Sequence, residues 1–107
     1  SDHGPRTLSR VGFRRELRPD GTPYTKPGIG EPREYRGDLM NEYFILADAF
    51  RQELCKGFDP AAVARVLLDH GCLKPDKGRS YDRKHRLPGM GNVRCYHIGP
   101  EIFELDL

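Results

Sequence analysis

Hydrophobic residues fall along this chain in short runs with different periods. Val11-Gly12-Phe13-Arg14-Arg15-Glu16-Leu17 sets Phe13 and Leu17 on one face at the two-residue period of a strand. Pro19-Asp20-Gly21 follows with turn chemistry: Pro fixes φ, Asp bonds back to the backbone, and Gly accepts positive φ. Tyr24 and Thr25 are expected to return as the partner strand, giving an N-terminal hairpin that must lean on the core because an isolated one is marginal in water. Residues 26–42, rich in Gly and Pro, read as a loop.

From Tyr43 the pattern tightens. Tyr43-Phe44-Ile45-Leu46 suits a short buried strand. A helix is expected from about Asp48 to Lys56, with Asp48 as its N-cap, Phe50 and Leu54 on one face, and Gly57 just past its end. A second helix opens at Asp59-Pro60, where a proline at the first helical position loses no hydrogen bond, and stops at His70-Gly71. Its apolar residues cover most of the circumference, which makes it a core element; Ala62, Arg65 and Asp69 form the remaining stripe, with Arg65 and Asp69 spaced to pair. A turn at Pro75–Gly78 leads to strands over 81–87 and 93–98, joined by Pro88-Gly89-Met90-Gly91-Asn92. The acidic-apolar tail Glu101–Leu107 is expected to dock on the core or on a neighbour.

These elements make an α+β, winged-helix-like domain: two core helices followed by a β-hairpin, with the N-terminal hairpin in addition. Residues 43–107 would be the domain and residues 1–42, which hold six of the twelve Gly and five of the nine Pro, a Gly/Pro-rich segment before it. At 107 residues a single modest core is the default. A chain that opens on Ser1 is expected to be a piece of something longer.

Charge changes the picture more than composition does. The net charge is only +2, yet residues 72–98 carry seven Lys/Arg against two Asp/Glu, while residues 37–71 and 99–107 are each net −3. A local +5 can serve as a phosphate-binding footprint; solvated surface charge is the plain alternative. The second helix offers only Asp59, Ala61 and Ala62 at its N-terminal end, a poor start for reading base edges. The hairpin is the better element. Lys77, Arg79, Arg83, Lys84, Arg86 and Arg94 are the candidate phosphate contacts, with Arg83 and His85 on one side of the strand and Lys84 and Arg86 on the other.

Other chemistry finds little support. His70-x-Cys72 and Cys95-x-His97 could bring four zinc ligands together, but the spacing of familiar zinc modules is missing and small cysteines are commonly just buried, so no metal is expected. No P-loop or dinucleotide fingerprint is present, and no cofactor or catalytic residue is expected. No run approaches the length of a membrane span. Three cysteines, an odd number, fit a reducing compartment, and a cytoplasmic location is expected.

Gly57-Phe58-Asp59-Pro60, Val63-Ala64-Arg65-Val66-Leu67, Gly71-Cys72-Leu73, Arg86-Leu87-Pro88-Gly89-Met90-Gly91 and Arg94-Cys95-Tyr96 together resemble the carboxy-terminal domain of helicase-like (primase–helicase) ATPase proteins from prophages and integrative elements. Arg6-Thr7-Leu8, Gly12-Phe13-Arg14-Arg15 and the Tyr43-to-Phe50 segment extend the resemblance over most of the chain. What it implies is an accessory DNA-binding domain whose parent ATPase core lies elsewhere, since this chain has no Walker motif. The rival expectation is a protein-interaction or structural module that docks on that core or on a partner subunit, motivated by the acidic tail and the acidic middle segment.

Overall fold

A computed structural model describes residues 6–7, 11–24, 37–78 and 80–104. Its organising element is one antiparallel sheet in the order β1-β2-β3-β5-β4. The strands are β1 (Arg6–Thr7), β2 (Gly12–Leu17), β3 (Met40–Leu46), β4 (Arg83–Leu87) and β5 (Gly91–Ile98). Four are full strands and β1 is a two-residue edge. With the helices below, this is a small α+β fold.

The first run becomes β2 as its period requires, with Phe13 and Leu17 both buried. The turn forms as well. Gly21 donates to Arg18 O at 2.8 Å with φ 89°, and Asp20 accepts from the backbone N–H and the hydroxyl of Thr22. The expected return begins but forms no named strand within the described residues: Pro23 bridges Leu17, Tyr24 donates to Glu16 O at 3.0 Å, and Thr25 lies outside them. Strand β2 pairs with β1 on one side and with β3 on the other, the latter in register from Gly12↔Ile45 to Leu17↔Met40. A Gly/Pro-rich stretch is thus tied into the central sheet. Strand β3 begins at Met40, inside the stretch read as loop; residues 26–36 of that stretch lie outside the described residues.

The sheet has two differently filled faces, because alternate residues of each strand point opposite ways. One face holds Ile45, Tyr96 and Ile98 and packs against the helices. The chain leaves β3 directly into α1 (Ala47–Ala49), which continues as a π-helical turn (Phe50–Leu54). The helix starts one residue before the expected Asp48 cap, and the π-turn alters its buried face. Cys55 donates to Phe50 O, five residues back, so Cys55 is the residue that rejoins Phe50 on the core side. Phe50 and Cys55 are each 2% exposed, whereas Leu54 is 54% exposed. Phe50 stacks on Tyr96 with ring centroids 3.8 Å apart.

Helix α2 (Pro60–Asp69) takes Asp59 as N-cap residue and Pro60 in the first turn, as its sequence demands. It closes in a Schellman arrangement: Gly71, at φ 75°, donates to Leu68 O, and Cys72 donates to Leu67 O. The helix is less enclosed than its composition suggests. Ala64 is fully buried, Val63, Leu67 and Leu68 are partly buried against the core, and Val66 is exposed. It covers one face of the sheet as a surface helix, not an interior one. After it, Leu73 bridges Ile98, and Lys74 and Gly99 exchange backbone bonds with His97 and Cys72. A 3-10 turn (Pro100–Glu104) returns the tail to the core through Ile102, the Tyr43–Phe103 ring contact and the Lys74–Glu101 ion pair. Leu105 and Leu107 lie outside the described residues.

Candidate nucleic-acid interface

The basic hairpin forms, with bounds that differ from expectation. Its strands are Arg83–Leu87 and Gly91–Ile98, and the connection shortens to Pro88-Gly89-Met90. Met90 donates to Leu87 O at 3.1 Å, with Gly89 at φ 74°, the turn that Pro followed by Gly favours. Strand β5 is central to the sheet only in its second half. Cys95–Ile98 pair with β3, whereas Gly91–Arg94 pair with β4 and, among the described residues, with no other strand. The tip-side half of the hairpin therefore overhangs the sheet at the point where β3 turns into α1.

The overhang sorts the expected phosphate contacts. Lys84 lies opposite Arg94 and Arg86 opposite Asn92, so Lys84, Arg86, Asn92 and Arg94 share the face that carries the helices. Lys84 and Arg86 are exposed and have no carboxylate partner among the described residues. Arg94 is engaged: its Nε and Nη2 donate to the two oxygens of Asp82 at 3.1 and 2.9 Å. That bond holds the Asp82 carboxyl below its usual range and raises the Arg94 guanidinium further. Arg83 turns to the opposite face, half-buried, with its Nε buried and unbonded among the described residues. Lys77 is exposed on the preceding loop, and Arg79 lies outside the described residues.

His85 belongs with Arg83, not with the cationic face. Burial first, then the charges of Arg15, His97 and Arg83, push its imidazole below the ordinary range, so it adds little charge at neutral pH. The run Arg83–Arg86 therefore presents to one side two cations that are unpaired among the described residues, where the sequence had offered four basic residues.

The face away from the helices carries a second core, Phe13, Phe44, Leu87 and Cys95, with every member on a strand. Within it lies a polar arrangement that periodicity alone does not announce. Glu42, 5% exposed, accepts from Arg15 Nε and faces His97 Nε2 at 2.6 Å. Burial raises the Glu42 pKa, but the hydrogen bonds from His97 and Arg15, with the Arg15 charge, outweigh it and hold the carboxyl low. An ionised carboxylate only accepts, so His97 Nε2 carries the proton in this bond. The His85 and His97 rings both stack on fully buried Phe44, at 4.3 and 4.5 Å between centroids, and the Arg15 guanidinium lies over the same ring. One acid at the start of an apolar run, opposite an arginine once the register is known, was the only signal for this cluster.

The cysteines do not make a site. Cys95 and His97 share a face of β5, but His97 is bound to Glu42, and among the described residues no three of His, Cys, Asp and Glu gather where a metal ion could sit. All three thiols are buried and free; burial raises each of them, Cys95 to about 11. None is a thiolate at neutral pH, as nucleophilic chemistry would require.

A cleft of about 600 Å³ opens between the α1–π-turn segment and the overhanging hairpin, lined among others by Leu46, Ala47, Arg51, Asp82, Met90 and Arg94. No described helix is long and apolar enough to cross a membrane. No family model, curated protein or solved structure matches the chain.

Proposed function

We propose that this chain binds nucleic acid through the sugar–phosphate backbone, using the overhanging half of the β4–β5 hairpin. The observation that carries the reading is the pair Lys84 and Arg86, exposed, unpaired among the described residues, and stacked two residues apart on one side of an edge strand. Their separation along the strand is about 7 Å, far enough apart for the two cations to meet different phosphates of one nucleic-acid strand. Asn92 lies beside them as a neutral donor, and Lys77 adds a cation from the loop. Contacts of this kind supply affinity and salt sensitivity without sequence preference.

In this reading α2 and the hairpin act as a winged-helix-like pair in which the helix is scaffold and the hairpin is the contact element. The exposed stripe of α2 supports that division, because Arg65 is occupied by Asp69 at 3.0 Å and Ala61 and Ala62 offer no donors. The resemblance to prophage and integrative-element primase–helicases makes the proposed setting an accessory domain beside a DNA-processing ATPase core, with binding and no catalysis in this chain. Three buried free thiols suit a reducing compartment, the cytoplasm in this proposal.

Fluorescence anisotropy with duplex and single-stranded DNA at two salt concentrations tests the proposal. The expected result is binding that weakens with salt and is largely lost in Lys84→Ala/Arg86→Ala. Binding untouched by that double substitution, or no salt-dependent binding at all, refutes it.

A further inference from the structure

Arg94 shares a face with Lys84 and Arg86 but differs from them in one respect: it is already bound. Asp82 precedes β4 on the same side, diagonal to Arg94 across the hairpin, and receives both Nε and Nη2. The two partners are unequally free. The Asp82 side chain is 12% exposed and the Arg94 side chain 46%, so the acid is anchored and the guanidinium reaches outward. A two-point acceptor at hydrogen-bonding distance from the guanidinium fork is the geometry that a phosphodiester also offers, since carboxylate and phosphate both take Arg in this bidentate way.

We propose that Asp82 is an internal stand-in for phosphate: it occupies the Arg94 fork in the free protein and is displaced by a backbone phosphodiester in the complex. This rests on the hairpin being a nucleic-acid contact. Arg94 is then a third phosphate subsite in line with Lys84, and it is closed until the exchange occurs. The surroundings fit a restraint on binding. Asp48, Glu53 and Asp82 against Arg51 and Arg94 give the adjoining cleft an acidic excess, so a phosphate reaches Arg94 from the Lys84 side. The closed pair limits retention on any polyanion while leaving Lys84 and Arg86 to make first contact.

The experiment measures the dependence of DNA affinity on salt for the wild-type chain, Asp82→Asn, Arg94→Gln and Asp76→Asn. Each phosphate engaged on duplex DNA adds about 0.9 to the slope of log affinity against log salt. In the wild-type complex Arg94 already holds its phosphate, so Asp82→Asn, which keeps the shape of the side chain and removes the competitor, is expected to bind more tightly with an unchanged slope. Arg94→Gln removes the subsite and is expected to make the slope shallower by about 0.9. Asp76→Asn removes the same unit of negative charge at an exposed position near the hairpin without freeing a guanidinium, and its affinity and slope are expected to match wild type. Circular dichroism confirms that each variant is folded. An Arg94→Gln slope equal to wild type, an Asp82→Asn slope steeper than wild type, or a gain in affinity no larger than that of Asp76→Asn overturns the exchange while leaving the binding surface intact. Failure of all four proteins to bind overturns the binding reading itself.

Discussion

Replacing Glu42 by alanine probes the least legible part of the fold. The carboxylate is 5% exposed and joins three strands, taking Arg15 from β2 and His97 from β5 while sitting on β3. Its removal leaves two polar groups without their acceptor at positions that are themselves mostly covered, with side-chain exposures of 22% for Arg15 and 13% for His97. Removing one partner of a buried pair costs about 3–5 kcal/mol, and the long Arg15 side chain can move part-way to water, so about 3 kcal/mol is expected here. That is a large share of the ~5–15 kcal/mol stabilising a domain, and at this size it lowers the melting temperature by roughly 12 °C. Denaturant unfolding followed by far-UV circular dichroism gives the number. A loss below about 1 kcal/mol, the range of an exposed ion pair, would refute the reasoning. Acid titration of the wild type gives a second view of the same face. Folding lowers the Glu42 pKa, so the unfolded chain binds more protons in the acid range, and the stability from this group is full above the carboxylate range and lost as pH falls through it. Folding lowers His85 too, so its share goes earlier, as pH drops below the ordinary imidazole range. Glu42→Gln is expected to flatten the lower of these two phases and leave the upper one; two unchanged phases contradict the assignment.

Other consequences are local. Phe50→Ala is expected to cost about 3–5 kcal/mol and Leu54→Ala within about 0.5 kcal/mol, by the same denaturant assay, because the π-turn hands the core position to Cys55. Comparable losses at the two sites would mean that the segment is an ordinary α-helix. A side chain at Gly12 would place Cβ 2.1 Å from Phe44 O, so Gly12→Ala must separate β2 from β3 and is expected to cost more than about 3 kcal/mol. At Gly71, where no atom lies within 4 Å but φ is 75°, alanine is expected to cost only about 1–2 kcal/mol; thermal melts compare the two. Thiol titration with a chromogenic disulfide is expected to find Cys55, Cys72 and Cys95 slow to react until denaturant is added, and fast reaction in the native protein would contradict their burial.

The local elements were readable where chemistry is local. Asp59-Pro60 and His70-Gly71 set the ends of α2, Phe13 and Leu17 set the face of β2, and Pro88-Gly89 set the hairpin turn. What escaped depends on partners distant in sequence. Nothing within residues 11–25 says that β2 pairs with β3, because its turn would serve a hairpin equally well. The pairing adds an aromatic and aliphatic partner for every buried position of β2, which a return through Pro23 cannot match, since Pro lacks the N–H that a ladder needs. The π-turn was invisible because Phe50 and Leu54 are spaced correctly for an α-helix. Asp82 and Glu42 each look like single acids until a register places an arginine against them. Of the six cations expected at the interface, Lys84 and Arg86 share one face with no carboxylate partner among the described residues, Arg94 is tied to Asp82, Arg83 faces away, Lys77 sits on the loop, and Arg79 lies outside the described residues.

The central claim is that the overhanging hairpin half is the contact element. Amide chemical-shift mapping of the ¹⁵N-labelled chain during titration with a short DNA duplex tests it most directly. The account predicts shifts centred on Lys84, Arg86, Asn92 and Arg94 that shrink as salt is raised, with the Glu42 face of β2 and β3 unmoved. Shifts centred on that opposite face, or on α2 with the hairpin silent, would contradict it.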